Sequence, residues 1–396
     1  MRILHIFPFL SPNANGTITT TRQLSMALAR NGHQVGIFTS DFEMTTEYLE
    51  SLSPVKIYSY STWLKLPGYY FYLSPATITR ARNVTREFEV LHLHCLRSFQ
   101  NIVVYYYARK YAIPYILDQH GSLPRSVAGE KGPRCLLRWL FDLIFGNRII
   151  RDAAKVVAQN RFAVREYRKF GVKDDRMALI PLLFPVEDFA DLPTPGGFRK
   201  RYDLGGKPVI MSMCRLNHIK GLDFLVESFY ELSRSGSEAV LAIVGPDEGY
   251  RAELERMVSE LNLSDRVLFT GFLDGRDKLE ALVDADVVVQ PSRYEQAAWG
   301  PIEAVLCGTP VIVSGGTGSA EDVSTMDAGY LVEYGDKICM MQTIQMILED
   351  PAAAVEKVNR AREYIVENLA FSSRIADYEN LYREVTELNS PVRRNK

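Results

Sequence analysis

The stretch Pro291–Glu321, PSRYEQAAWGPIEAVLCGTPVIVSGGTGSAE, constrains the fold more than any other in this chain. The run before it, Asp286–Gln290, is valine-rich and reads as a buried strand. A loop starts at Pro291 and carries Glu295. Gly300 and Pro301 predict a helix cap and first turn, because proline suits the first turn, where its missing N–H is not needed. Glu303 therefore sits near a helix start. Cys307-Gly308 predicts the helix end, glycine being the common left-handed stop. Pro310–Val313 reads as a short strand, and the glycine-rich turn Gly315–Gly318 opens another helix at Glu321. Strand, loop, helix, strand, turn, helix is a pair of linked β-α units. On such sheets ligands bind beyond the strand C-termini, where these loops lie.

The same alternation runs through the chain. Arg2–Phe7 predicts a strand, Pro8–Gly16 a loop, Thr17–Asn31 a helix stopped by Gly32, and Gln34–Thr39 the next strand. Gly16 lets backbone approach a phosphate or sugar at that helix start. Pro54–Tyr60 reads as a strand, and Trp63–Leu73 as a loop dense in aromatics, either covering a core or meeting a sugar or membrane. In Val90–His94 the two-residue period puts His92 and His94 on one face. They could ligate a metal, but no third ligand is expected nearby, and they read as structure close to the site. Pro114–Asp118 runs into Gln119-His120-Gly121, so His120 is expected at a strand C-terminus. Lys155–Ala158 and Met177–Pro181 complete this half. Glu187–Gly206 is rich in proline and glycine and reads as the interdomain connection.

A second series starts with strand Val209–Met213. It leads into Cys214-Arg215-Leu216-Asn217-His218-Ile219-Lys220-Gly221 and a helix with Leu222, Leu225, Val226, Phe229 and Leu232 at helical spacing. Arg215 and Lys220 thus lie between a strand end and a helix start, where phosphates bind. Ala239–Val244, and Val267–Phe269 followed by Gly271, are further strand-to-loop junctions. Ser372–Leu388 predicts a helix with Ile375, Tyr378, Leu381 and Tyr382 on one face.

Composition narrows the function. A length of 396 residues accommodates two domains. A net charge of −2 gives no pull toward nucleic acid. No run approaches the roughly 20 apolar residues of a spanning helix, and the first residues go straight into a strand, so a cytoplasmic protein is expected. Five scattered cysteines without a C-x-x-C point to reduced thiols. Gly316-x-Gly318 lacks the third glycine of a dinucleotide fingerprint, since Glu321 stands there. Asp284-Ala285-Asp286 precedes its strand instead of following one, which argues against a metal role.

Taken together, Glu295, Glu303, Gly308, Pro310, Val311 and Ile312 resemble the motif of the family 4 glycosyltransferases. Gly32-His33-Gln34-Val35 and the Arg215-Leu216…Lys220-Gly221 run are similar to further motifs of that family. The resemblance implies an α/β protein with two Rossmann-like domains facing across a cleft (the GT-B fold) and a C-terminal helix crossing back to the first domain. The expected boundaries are 1–186, a linker at 187–206, 207–371, and 372–396 for the returning helix and tail. It implies a metal-independent retaining glycosyltransferase using a nucleotide-sugar donor and no cofactor. Arg215, Lys220, Glu295 and His120 would be its catalytic groups, and Gly16, Gly271, Ala298, Trp299, Gly300 and Glu303 its donor-binding positions. This chain departs from the family pattern at Asn15, Cys214 and Ala298, where glycine is usual, and at Leu182–Val186. A nucleotide-sugar isomerase or phosphorylase on the same fold, or an inactive nucleotide-binding relative, are the alternatives.

Cys135–Phe145, CLLRWLFDLIF, is apolar almost all round if helical, with Arg134, Arg138 and Asp142 as a narrow polar stripe and Lys131, Arg148 and Arg151 at its flanks. Helices apolar on every side are usually buried. Basic edges and a tryptophan also suit a helix lying in a membrane interface. Both readings stand for residues 131–151, and the second would bring a lipid-linked acceptor within reach of the first domain.

Overall fold

The computed structural model describes residues 1–11, 16–65, 71–124 and 132–388. The chain forms two compact units. One contains Met1–Phe184 and the chain from Leu369 onward, and the other is Pro185–Asn368. The first is built on seven strands: β1 (Arg2–Phe9), β2 (Gln34–Ser40), β3 (Lys56–Tyr60), β4 (Val90–His94), β5 (Tyr115–Asp118), β6 (Lys155–Ala158) and β7 (Met177–Leu179). Their order is β3-β2-β1-β4-β5-β6-β7. The second contains β8 (Val209–Met213), β9 (Val240–Val244), β10 (Val267–Gly271), β11 (Val287–Gln290), β12 (Val311–Ser314) and β13 (Gly329–Val332), in the order β10-β9-β8-β11-β12-β13. Every ladder in both sheets is parallel. Strand order reverses next to β1 and next to β8, which makes each sheet doubly wound.

The two-residue period of a strand sends alternate side chains to opposite faces. Ile3 of β1 joins the core formed with Ile18, Leu24 and Leu28 of helix Gly16–Arg30, while Leu4 and Ile6 join the core on the other face. Helix Phe371–Leu388 covers the first of these faces with Ile375, Tyr378, Leu381, Tyr382 and Val385. It is tied in at several points. Phe184 N–H donates to the Leu369 carbonyl at 2.8 Å, Glu379 accepts from Asn31 at 3.0 Å, and Lys155 meets Glu384 at 2.8 Å. The last helix therefore belongs to the first unit, as the family resemblance implies.

Residues 187–206, read above as the connection, carry structure of their own. Helix Gly197–Arg201 packs on helix Gly275–Asp284 with Phe198 fully buried. The carboxylate of Asp284 accepts from the N–H groups of Gly196 and Arg199, and Asp286 takes Arg199 at 2.7 Å and the Val209 N–H at 2.6 Å. Both aspartates of the Asp-x-Asp sequence thus anchor this segment to the second unit.

The aromatic loop departs from its expected form too. An antiparallel pair, Leu64–Lys65 with Tyr72–Leu73, stands within it. Tyr72 is buried whereas Trp63 is 81% exposed. Tyr69 and Tyr70 lie outside the described residues.

The apolar segment near residue 140 is neither uniformly buried nor one regular helix. It comprises helix Pro133–Phe141, a wider π turn Asp142–Gly146, and helix Asn147–Asp152. Asp142 does not belong to a polar surface stripe. It is fully buried and receives Arg97 in a bidentate pair, Nε to Oδ1 at 2.9 Å and Nη2 to Oδ2 at 2.7 Å. The same guanidinium donates to the Leu123 carbonyl at 2.8 Å and to that of Ser122. Arg97 thereby joins the loop after β4, the loop after β5 and the π turn. Removing one partner of a buried pair strands the other charge and costs about 3–5 kcal/mol, whereas an apolar replacement of both is much cheaper. Asp142→Ala should lower the stability of the first unit by about that amount in urea titrations, and Arg97→Met with Asp142→Leu should recover most of it.

Candidate functional site

The loops at the C-terminal ends of β8, β11 and β12 assemble most of the residues singled out in the second unit. After β8, Asn217 accepts the Ile219 N–H at 3.1 Å and starts the short turn His218–Lys220. Gly221 follows with φ +65°, and a Cβ there would overlap the Pro291 carbonyl oxygen. Glycine at this position lets the Lys220 loop lie directly against the loop after β11. Arg293 fastens the two together. Its N–H donates to the Ile219 carbonyl at 2.8 Å, and its guanidinium grips the carboxylate of Asp223.

This contact delivers Lys220 to Glu295. Lys220 Nζ and Glu295 Oε2 form a close ion pair, with the two side chains only 14% and 15% exposed. Gly318 N–H donates to the Glu295 carbonyl at 2.7 Å, which draws in the glycine turn after β12. Arg215 takes a different partner, Glu248, at 2.6 Å, and Glu248 also accepts from Asn217 at 3.2 Å. The two expected phosphate-binding cations are thus held by separate carboxylates. Both still act on one neighbour. Burial pushes the Cys214 thiol pKa up, while Lys220 and Arg215 pull it back and Glu295 adds to the rise.

Helix Trp299–Leu306 begins two residues earlier than the glycine-proline pair predicts. Its cap is Ala298, which provides no side-chain hydrogen bond to the first turn. Gly300 falls inside that turn, where a Cβ would come 3.1 Å from the Met213 carbonyl oxygen. Glu303 is 12% exposed and pairs with Lys278 at 2.7 Å. Gly271 ends β10 and accepts the Gly245 N–H at 2.9 Å. Lys278, Arg293, Asp223 and Glu248 were missed by the sequence reading. Nothing local marks them, because each matters through a partner at least 25 residues away.

Gly16 and His120 belong to the first unit. Gly16 is the first residue of helix Gly16–Arg30, and its carbonyl accepts from Thr20 at 2.8 Å; Asn15 lies outside the described residues. His120 adopts a left-handed φ of +46° and ends a chain of buried imidazoles. His120 Nε2 meets His94 Nδ1 at 2.8 Å, and His94 Nε2 meets His5 Nδ1 at 2.9 Å. On its other side His120 Nδ1 lies 3.5 Å from Asp118 and 3.4 Å from the Gln159 amide. His92 stacks on His94 at 4.2 Å and binds the Tyr382 hydroxyl at 2.8 Å.

The expectation that His92 and His94 lack a third ligand is therefore corrected. His5 pairs with His92 across β1 and β4, and one nitrogen of each of His5, His92 and His94 lies within 4.8 Å of the others. His94, Asp118 and His120 form a second such group. As arranged, His5 and His94 spend facing nitrogens on each other, so the cluster is a hydrogen-bond chain. Both nitrogens of the His120 ring are engaged in it or with Asp118 and Gln159.

Burial disfavours charge on all four rings. The pKa of His5 is lowered to about 3, and those of His92, His94 and His120 are lowered too. Burial raises that of Asp118, partly offset by His120. A histidine with a depressed folded pKa keeps its full stability contribution above its unfolded value, about 6.5, and loses it as pH falls below that. Asp118 acts in the opposite sense at the acid end. The first unit should therefore weaken from about pH 6.5 downward, by about 1.4 kcal/mol per pH unit for each ring held neutral. Urea unfolding across pH 7.5 to 5 checks this. His5→Gln should reduce the slope by about one such step.

Two family models match the chain. The one described as Glycosyltransferase Family 4 matches residues 14–187, and Glycosyl transferases group 1 matches residues 198–367. A 2-deoxystreptamine glucosyltransferase of Streptomyces kanamyceticus is 34% identical over 43% of this chain and 44% of its own length. A GDP-mannose-dependent alpha-(1-6)-phosphatidylinositol monomannoside mannosyltransferase of Mycolicibacterium smegmatis is 30% identical over 57% and 61%. These matches take up less than two thirds of either relative. The sucrose-phosphate synthase of Thermosynechococcus elongatus shares the fold, with a TM-score of 0.78 over 98% of this chain and 99% of its own, at 23% identity.

Proposed function

Since the chain belongs to the family 4 glycosyltransferases, we propose that it moves a sugar from a nucleotide-sugar donor to an acceptor, with retention at the anomeric carbon and without a metal. The observation that carries this reading is the Lys220–Glu295 pair, held where the loops after β8 and β11 meet. As the glycosidic bond breaks, negative charge grows on the departing diphosphate. Lys220, Arg215 and the backbone N–H groups around Ala298, Trp299 and Gly300 are the groups assigned to stabilise it. Such donors act most strongly when they are fixed in advance, as Lys220 is by its loop. Glu295 is assigned to the sugar hydroxyls and Glu303 to the ribose, with Gly271 and Gly16 admitting the donor closely. Lys278 neutralises Glu303 and keeps its carboxylate in place.

His120 takes a positioning role, because its ring nitrogens face His94, Asp118 and Gln159. The acceptor is proposed to be a glycan or a lipid-linked glycan precursor. A relative whose name specifies a phosphatidylinositol mannoside supports the second choice. The protein would work in the cytoplasm, at the inner face of a membrane that it touches through residues 131–151. Lys131 of that segment lies outside the described residues. Among the described residues no helix is long and apolar enough to cross a membrane.

The test is a screen of purified protein with several nucleotide sugars and candidate acceptors, reading released nucleoside diphosphate. Lys220→Ala should cut turnover with the selected donor by about two to three powers of ten, with the fold intact by circular dichroism. Near-normal turnover would remove Lys220 from the mechanism. Turnover should also persist in excess chelator. Loss restored by manganese would overturn the metal-free reading.

A further inference from the structure

The first unit carries an apolar surface that its own core does not use. Leu136, Leu137, Trp139, Leu140, Leu143 and Ile144 are 37–57% exposed, six large side chains within nine consecutive positions. Isolated exposed leucines are ordinary, but a contiguous patch of this kind marks an interaction site. The segment cannot simply roll this face inward. Phe141, Ile149 and Ile150 already occupy the core, Phe145 packs against it, and Asp142 is clamped by Arg97.

A second exposed element adjoins it. Trp63 and Leu64, 81% and 48% exposed, stand at the start of the antiparallel pair whose other strand follows Phe71. The Phe71 ring packs edge-on against Phe141 at 5.6 Å, so hairpin and helix are neighbours.

Charge indicates the occupant. Residues 56–155 contain 15 Lys and Arg against 6 Asp and Glu, a net +9 in a chain whose total is −2. Arg134, Arg148 and Arg151 on the helical segment are exposed. Leucines in the centre, arginines at the edges and tryptophan on both elements match an acyl boundary under anionic headgroups. Polybasic surface adds about 1 kcal/mol of attraction per charge near such a leaflet.

We infer that the Trp63–Leu64 hairpin and the face of residues 136–144 form one two-point docking surface for the anionic leaflet of a bilayer. The inference rests on the membrane contact proposed above and extends it to a second element and a lipid class. Docking this way would present the first unit to an acceptor carried in the same leaflet.

The experiment is co-sedimentation of the full chain with phosphatidylcholine vesicles, with and without phosphatidylglycerol, at low and high salt. Binding to the anionic vesicles is expected, at least about tenfold weaker on phosphatidylcholine alone or at high salt. Leu136→Gln, Leu137→Gln and Leu143→Gln together, and separately Trp63→Ser with Leu64→Ser, should each weaken binding at least about tenfold. Hydrogen exchange on the unaltered protein supplies a readout without mutation. Residues 63–65 and 133–144 should gain protection with anionic vesicles. Equal binding to both lipids, or no protection of either element, overturns the proposal. A hairpin variant that binds like the parent overturns the two-point geometry. A concentration-dependent dimer that the triple variant abolishes assigns the face to a second copy instead. Failure of donor chemistry is separable. The triple variant should bind nucleoside diphosphate like the parent, and Lys220→Ala should still bind vesicles.

Discussion

A parallel strand rejoins its sheet only through a crossover, so every loop that follows a strand opens on the same edge. Everything described at the candidate site depends on this constraint. In the second unit it brings residues 214–221, 291–300 and 315–318 to one edge, although about 100 residues of chain separate the first from the last. No long-range recognition between those segments is needed. Once β8, β11 and β12 are in register, Lys220, Glu295 and Gly318 are neighbours. Close approach is then refined by single atoms, as at Gly221, where the absence of a Cβ decides how near two loops lie.

The two units line their loop edges differently. The second uses compensated charge: Lys220 with Glu295, Arg215 with Glu248, Lys278 with Glu303, Arg293 with Asp223. The first uses imidazoles kept neutral by burial and linked nitrogen to nitrogen. Compensated charge is reversible, since a phosphate can replace a carboxylate beside a lysine. A buried neutral chain has no such exchange open to it. It fixes geometry, and it joins β1, β4 and the loop after β5 in one polar seam.

Much of this was legible in the sequence. Runs of valine and isoleucine ending in glycine or proline marked the strands and the loops after them. Glu295, Glu303, Arg215 and Lys220 stood in those loops. What could not be read were partners. Periodicity placed His92 and His94 on one face but was silent about His5, which arrives from another strand. Asp142 looked like part of a surface stripe because it is four residues from Arg138. Its carboxylate is instead fully buried, and it pairs with Arg97, which arrives from the loop after β4. The helix cap slipped by two residues, to Ala298, because Gly300 serves close approach to Met213 and not capping. Proline and glycine content suggested an interdomain connection at 187–206, while Phe198 and Asp284 bind that segment to the second unit.

The last helix has a consequence for the order in which the protein is made. Ile375, Tyr378, Leu381, Tyr382 and Val385 complete one of the two cores of the first unit, and Tyr382 caps His92. They leave the ribosome only after the 184 residues of Pro185–Asn368. At about 5–20 residues per second that is a delay of roughly 10–40 s. Throughout it the first unit presents an open apolar face, with Ile3, Val90, Ile116 and Val157 uncovered by their final neighbour. The second unit has no such debt and closes on residues already synthesised. During synthesis the half of the protein that emerges first is therefore the half that finishes last.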